Sequence, residues 1–195
     1  MLMNITSVLL AGVGGQGIIL ASKILAQCAF TAGLMVKESE LHGMAQRGGS
    51  VISHVRFGEE VYSPLIPSGK ADFMVALEEL ESLRYTYFLK PSAQVILNSK
   101  QVMPSVIIPE NSRYPENIRQ KLESLGFRVD EVNALETARE LGNLKVENII
   151  LVGALSRYLP FTMEDWQKTI EKSVPAKTIE INLAAFRTGR ERGKG

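Results

Sequence analysis

The stretch "LLAGVGGQGIIL", residues 9–20, decides how the chain is read, because an apolar run there breaks at a glycine turn and resumes with a different period. Gly12, Gly14 and Gly17 stand in the spacing GxGxxG. Upstream, "TSVLLAG" (6–12) has the length and apolar character of a buried strand; downstream, "IILASKILAQCAFTAG" (18–33) changes to helical spacing and stops at Gly33. The pattern predicts strand, tight turn and helix, a Rossmann-like start. Glycines let the backbone bend sharply and approach an oxyanion, and a helix beginning near Gly17 aims its free N–H groups at the same point. That chemistry selects a phosphate or a carboxylate and does not by itself name a dinucleotide. Glu38 closes the next expected strand, "LMVKE" (34–38), where an acid would meet a ribose. A solvated strand end accounts for Glu38 equally well, and no substrate half with its own acid/base residues follows.

The remaining elements alternate. "SELHGMAQRGG" (39–49) is too polar and glycine-rich for either element and reads as an ordered loop, after which "SVISHVRF" (50–57) is expected to form a hairpin with "VYSPLI" (61–66). "ADFMVALE" (71–78) reads as a buried strand, "ELESLRYTYFL" (79–89) as a helix ended by Pro91, and "QVILNS" (94–99) and "SVIIP" (105–109) as strands. Helix 115–126, strand 127–133 and helix 134–142 follow. An apolar helix is expected near 146–158, then one after Thr162 with the capping spacing "TMED", then one containing "KTIEINLAAF", and "RTGRERGKG" (187–195) reads as a frayed basic tail. This order predicts an α/β fold, three layers α/β/α around a mostly parallel but mixed sheet.

Composition narrows the function. At 195 residues, one domain covering 1–195 is expected. Lys and Arg total 22 against 21 Asp and Glu, so no bulk field exists to hold nucleic acid or an anionic membrane, and an anionic ligand must be held locally. The apolar share of 45% leaves room for a subunit interface. "NIILVGAL" (148–155) is far shorter than the ~20 apolar residues of a bilayer span, and a cytoplasmic protein is expected. Cys28 is the single cysteine, which excludes an internal disulfide and a four-thiolate iron–sulfur cluster built from this chain alone. With only His42 and His54 besides, no metal site is expected.

The chemistry-bearing stretch is "SELHGMAQRGGSVISHVRFG" (39–58), with Glu40, His42, Gln46 and Arg47 followed by Gly48 and Gly49. Arg offers a rigid fork for carboxylate or phosphate, His donates or accepts near neutral pH, and paired glycines let N–H groups approach a ligand. Placed at the carboxyl end of the second strand, this loop should lie beside the first glycine turn. The candidate catalytic residues are therefore Arg47, His42 and Glu40, and the candidate ligand-binding residues are Gly12, Gly14, Gly15, Gln16, Gly17, Gln46, Gly48 and Gly49. Plainer readings stand beside them: a turn needed only for strand–helix packing, Arg47 in a structural or interface pair, and His42 as a hydrogen-bonded loop histidine. His54 reads as a satisfied sheet residue, Cys28 as helix core, and Trp166 with Met163 and Ile170 as a packing stripe.

"AGVGGQGIILASKIL" (11–25), "SELHGMAQRGGSVISHVRFG" (39–58), "SPLIPSGKADFMVALEELESLR" (63–84) and "EINLAAFRTG" (180–189) closely resemble the small-subunit family of indolepyruvate:ferredoxin oxidoreductases. Asn182, Phe186 and Gly189 match that family's closing helix. More broadly, the first 80 residues are similar to the gamma subunit or domain of thiamine-dependent 2-oxoacid:ferredoxin oxidoreductases. The resemblance implies oxidative decarboxylation of a 2-oxoacid on thiamine diphosphate, electron transfer through iron–sulfur clusters to ferredoxin, and release of an acyl-CoA. It implies that thiamine diphosphate, magnesium and the clusters sit on a large partner subunit. This chain would then hold no cofactor tightly, pack near the thiamine site, and help to form the region for coenzyme A, a co-substrate. "HGMAQRGGSV" favours the indolepyruvate branch. A gamma subunit for pyruvate, 2-oxoglutarate or 2-oxoisovalerate, and an autonomous nucleotide-binding protein, stay open.

Overall fold

The computed structural model describes residues 5–42, 49–103 and 113–192. Its strands are β1 (Thr6–Val13), β2 (Met35–His42), β3 (Ser50–Gly58), β4 (Ala71–Ala76), β5 (Leu89–Asn98) and β6 (Arg128–Val132). The helices are α1 (Ile18–Thr31), α2 (Glu79–Arg84), α3 (Ile118–Ser124), α4 (Ala134–Glu140), α5 (Glu147–Ser156), α6 (Met163–Ser173) and α7 (Ile179–Arg192). Among the described residues the strands form one mixed sheet in the order β2-β3-β1-β4-β5-β6. β1, β4, β5 and β6 run parallel, and β3 runs antiparallel to both of its neighbours.

Successive residues of β1 explain the layering. Val8 and Leu10 enter a core shared with α1, α5, α6 and α7, while Leu9 and Ala11 enter a second core with Met74, Leu97 and α3. A central strand apolar on both faces needs helices on both, and the result is the three-layer α/β/α fold. The "TMED" spacing forms a full capping box: the Thr162 hydroxyl accepts from Asp165 N–H, and the Asp165 carboxylate accepts from Thr162 N–H. Trp166 is fully buried, its ring 5.7 Å from Phe161 and 5.3 Å from Phe186.

Several local expectations are corrected. The segment 61–66 is not a strand and forms no hairpin with 50–57; β3 pairs instead with β1 and β2. Pro64 and Pro67 cannot donate to a ladder, and the carbonyls of Ser63 and Leu65 accept from the Arg56 guanidinium at 2.8 and 3.2 Å. Residues 39–42, read as loop, continue β2, whose polar alternation suits an exposed edge. Glu38 consequently lies inside an edge strand opposite Val55, with β3 between it and β1, and not at a strand end beside the glycine turn. The helix expected over 79–89 ends at Arg84 and passes through a short 3-10 turn into β5, which contains Pro91. Thr86 and the aromatic residues at 85, 87 and 88 are weak helix formers. The expected strand 105–109 lies outside the described residues. The tail is helical as far as Arg192, because Gly189 packs on α5 and Arg190 donates to the Ser156 hydroxyl at 2.8 Å.

α5 is buried from Asn148 through Ser156, and α7 crosses it at backbone contact. A Cβ at Gly189 would lie 2.0 Å from the Ile150 carbonyl oxygen, and one at Gly153 2.2 Å from that of Phe186. Neither backbone can yield without separating the helices. Gly189→Ala should therefore cost about 2–3 kcal/mol or more, lowering the melting temperature by roughly 5–10 °C for a chain of this size. An unchanged thermal melt would contradict the crossing.

Candidate functional site

The connections after β1 and β4 diverge: β1 leads through α1 toward β2, and β4 through α2 toward β5. Parallel neighbours whose connections part in this way leave a crevice at their carboxyl ends, the usual ligand position in such sheets. A cavity of about 370 Å³ occupies that place. Gly15, Gln16 and Gly17 wall one side, Leu77, Asn98 and Lys100 the floor, and Lys145, Glu147 and Asn148 the far side.

The glycine turn is held by side chains from three directions. The Gln16 carbonyl accepts from Val13 N–H at 2.8 Å while its amide donates to the Leu77 carbonyl at 3.2 Å, so both ends of this side chain serve the turn itself. Gly12 makes room for that arrangement, since a Cβ there would meet the Gln16 oxygen at 2.6 Å and Leu77 Cβ at 3.0 Å. Gly17 takes a left-handed conformation, φ 76°, and caps α1 without a side chain. Its carbonyl accepts from Asn148 Nδ2 at 3.0 Å, tying α1 to α5. The first bond of α1 runs from Ala21 N–H to Gly17, which leaves the N–H groups of Ile18, Ile19 and Leu20 without helical partners at the crevice edge.

On the floor, the Asn98 amide donates to the Leu77 carbonyl at 3.1 Å and its oxygen accepts from Ala134 N–H at 3.2 Å. Lys100 Nζ is paired with both carboxylate oxygens of Glu147 at 2.8 and 2.9 Å. Lys145 is exposed and forms no ion pair among the described residues. The wall thus combines backbone donors, neutral amides and, among the described residues, one cation without an ion pair.

Of the residues chosen from sequence, Gly12, Gly14, Gly15, Gln16 and Gly17 come together in one turn. Gly49 joins them, because Gly14 N–H donates to its carbonyl at 2.9 Å. His42 and Gly12 share a row of the sheet through Val51, two strand spacings or roughly 9–10 Å apart. Glu40 faces Ser53 on the edge strand, farther from the crevice. Gln46, Arg47 and Gly48 lie outside the described residues.

Two buried acids at the start of α2 escaped the sequence reading. Glu78, 1% exposed, caps α2 by accepting from Glu81 N–H at 2.9 Å, and it also accepts from Val102 N–H at 3.0 Å and from the Tyr114 hydroxyl. Burial and that carboxylate push the Tyr114 hydroxyl well above its ordinary value. Glu81, 5% exposed, accepts from the Ser50 hydroxyl and pairs with Arg84 at 3.2 Å. Burial raises its pKa, opposed by the Ser50 bond and by Arg84. In "LEELESLR" both acids look like a solvated helix face; their only signal is position, directly after a buried strand.

The model of the family described as pyruvate ferredoxin/flavodoxin oxidoreductase matches residues 7–192. The chain is similar to the indolepyruvate oxidoreductase subunits IorB of Archaeoglobus fulgidus, 42% identical over 94% of this chain and 92% of the relative, and Thermococcus kodakarensis, 39% identical over 96% of each. A 2-oxoglutarate synthase subunit KorC from Methanothermobacter marburgensis is 31% identical over 93% of each. Among solved structures, the gamma subunit of a keto/oxoacid ferredoxin oxidoreductase from Geobacter sulfurreducens superposes with a TM-score of 0.73 at 26% identity, covering 96% of this chain and 98% of that one.

Cys28 stands apart from the crevice, fully buried on α1, its thiol pushed up to about 12 chiefly by burial and further by the charge of Asp165. A thiol in that state is neither nucleophile nor metal ligand at neutral pH. A disulfide reagent at pH 8 should leave the folded chain unmodified and label one thiol once denaturant is added. Rapid labelling of the folded chain would show that the core is open at α1.

Proposed function

The chain belongs to the pyruvate ferredoxin/flavodoxin oxidoreductase family, and on that premise we propose that it is the small, cluster-free subunit of a 2-oxoacid:ferredoxin oxidoreductase acting on indolepyruvate or a related arylpyruvate. The observation that carries this reading is the order of its relatives, since the indolepyruvate oxidoreductase subunits are the more similar and the 2-oxoglutarate synthase subunits the more distant. In the overall reaction the bond between carbonyl and carboxylate carbons breaks and carbon dioxide leaves. A thioester bond to coenzyme A forms, a proton is released, and two electrons pass to ferredoxin.

The residues of this chain divide that work with a large partner subunit. Cys28 is buried and protonated, and no group of three metal-ligating side chains occurs among the described residues. We assign the iron–sulfur clusters, and thiamine diphosphate with its magnesium, to the partner on the strength of the family. What this chain offers is the crevice, which suits the anionic, elongated coenzyme A. The N–H groups at the start of α1 and Lys145 serve its phosphates, with Gly12, Gly14, Gly15, Gln16 and Gly17 shaping the wall and Gly49 joined to it, and we assign Gln46 and Gly48 to the same ligand. Arg47 anchors a phosphate or the substrate carboxylate, and His42 and Glu40 assist from the edge strand. An autonomous dinucleotide site is disfavoured by the position of Glu38, which β3 separates from the turn. No helix among the described residues is long and apolar enough to cross a membrane, and we place the complex in the cytoplasm, with this chain as one domain over residues 1–195.

The test is reconstitution of the chain with a thiamine- and cluster-bearing subunit, assayed with CoA, ferredoxin and a panel of indolepyruvate, phenylpyruvate, pyruvate, 2-oxoglutarate and 2-oxoisovalerate. Arylpyruvates should give the highest kcat/KM, and the chain alone should be colourless and inactive. Preference for 2-oxoglutarate or pyruvate would overturn the substrate assignment, and turnover by the isolated chain would overturn the subunit role. In the same assay Arg47→Ala should lower turnover roughly ten- to a hundredfold, the worth of a lost charge-assisted bond of ~1.5–3 kcal/mol. An unchanged rate would remove Arg47 from the site.

A further inference from the structure

A carboxylate buried to the extent of Glu81 is costly unless its bonds serve something. Its main partner is the hydroxyl of Ser50, the first residue of β3, and that hydroxyl also lies 2.6 Å from the Tyr85 hydroxyl. Ser50 has a single hydroxyl proton. With Glu81 ionised that proton goes to the carboxylate, so Tyr85 must donate to Ser50, giving a directed chain of hydrogen bonds from Tyr85 to Ser50 to Glu81. Glu81 is fixed in turn: Glu78 accepts from its N–H and also holds Val102 N–H and the Tyr114 hydroxyl.

The residue before Ser50 is Gly49, whose carbonyl receives Gly14 N–H at 2.9 Å. That contact joins the start of β3 to the turn lining the crevice. The acid itself cannot reach a ligand there. Side chains alternate along a strand, so Ser50 shares a face with Ile52, which packs in the core beside α3, whereas the crevice opens on the face of α1 and α5. We propose that Glu81 is a positioning residue for coenzyme A binding: acting through Ser50 and Gly49, it sets where the Gly14–Gly17 turn stands.

This inference rests on the reading of the crevice as the coenzyme A site, so its experiment has two readouts on the intact complex. The first is amide hydrogen exchange followed by mass spectrometry, in a peptide spanning residues 13–17, which reports the turn whether or not the complex is active. The second is steady-state kinetics at varied CoA and varied 2-oxoacid. Ser50→Ala and Glu81→Ala should speed exchange in that peptide and raise KM for CoA about three- to tenfold, the range expected on losing one hydrogen bond. KM for the 2-oxoacid and kcat should stay within about twofold. Glu81→Gln keeps an acceptor for Ser50 and should restore both readouts to near the wild-type values. Unchanged exchange in Ser50→Ala, Glu81→Gln as impaired as Glu81→Ala, or equal changes in both KM values would each overturn the proposal. Faster exchange with KM for CoA unchanged would keep the brace and reject the crevice as the CoA site.

Discussion

The carboxyl edge of the sheet depends on how closely backbone can approach backbone and amide at the glycine turn. Gly12 leaves space for the Gln16 side chain to fold back over β1 and reach Leu77, and Gly17 leaves space for Asn148 to bond its carbonyl. Were either position to carry a side chain, α1, α5 and the end of β4 could not converge, and the crevice between them would have no wall. The turn therefore works first as a packing device. Its capacity to receive an anion follows from the same absence of side chains, which leaves the first N–H groups of α1 uncovered.

A second constraint comes from β3. Inserted antiparallel between β1 and β2, it carries the chain back to the crevice edge, where Gly49 meets Gly14. In a fully parallel βαβ unit the acid of the second strand would stand next to the turn; here it is displaced by the width of a strand. The same starting motif thus parts the acid from the glycine turn, which disfavours a dinucleotide site.

The parts of this arrangement that were legible in sequence are those governed by local chemistry. The strand, turn and helix at 6–31 could be read from period and glycine spacing, the start of α6 from "TMED", and the buried character of α5 from its unbroken apolar run. Strand order could not be read, because a period of two identifies a strand without naming its neighbours. Nor could the fate of 61–66, where Pro64 within the segment and Pro67 just after it override an apolar pattern, or the limits of β2, whose polar residues suit an edge strand as well as a loop. The buried acids Glu78 and Glu81 were hidden for a related reason: their burial is imposed by Tyr114, Val102 and Ser50, residues 20 to 40 positions away, and leaves no mark on local spacing. Family resemblance, by contrast, reached the function directly, through motifs whose individual chemistry is ambiguous.

The central claim is that this chain contributes the wall of a coenzyme A site to a complex whose redox centres lie elsewhere. Its most direct test is a structure of the assembled complex determined with CoA bound, reading the distance from the CoA phosphates to the backbone nitrogens of Gly15 through Leu20. The account predicts at least one phosphate oxygen within hydrogen-bonding distance, about 2.7–3.2 Å, with the ligand lying between the glycine turn and Asn148. Coenzyme A bound wholly on the partner subunit, with the crevice filled by water or by partner side chains, would contradict it.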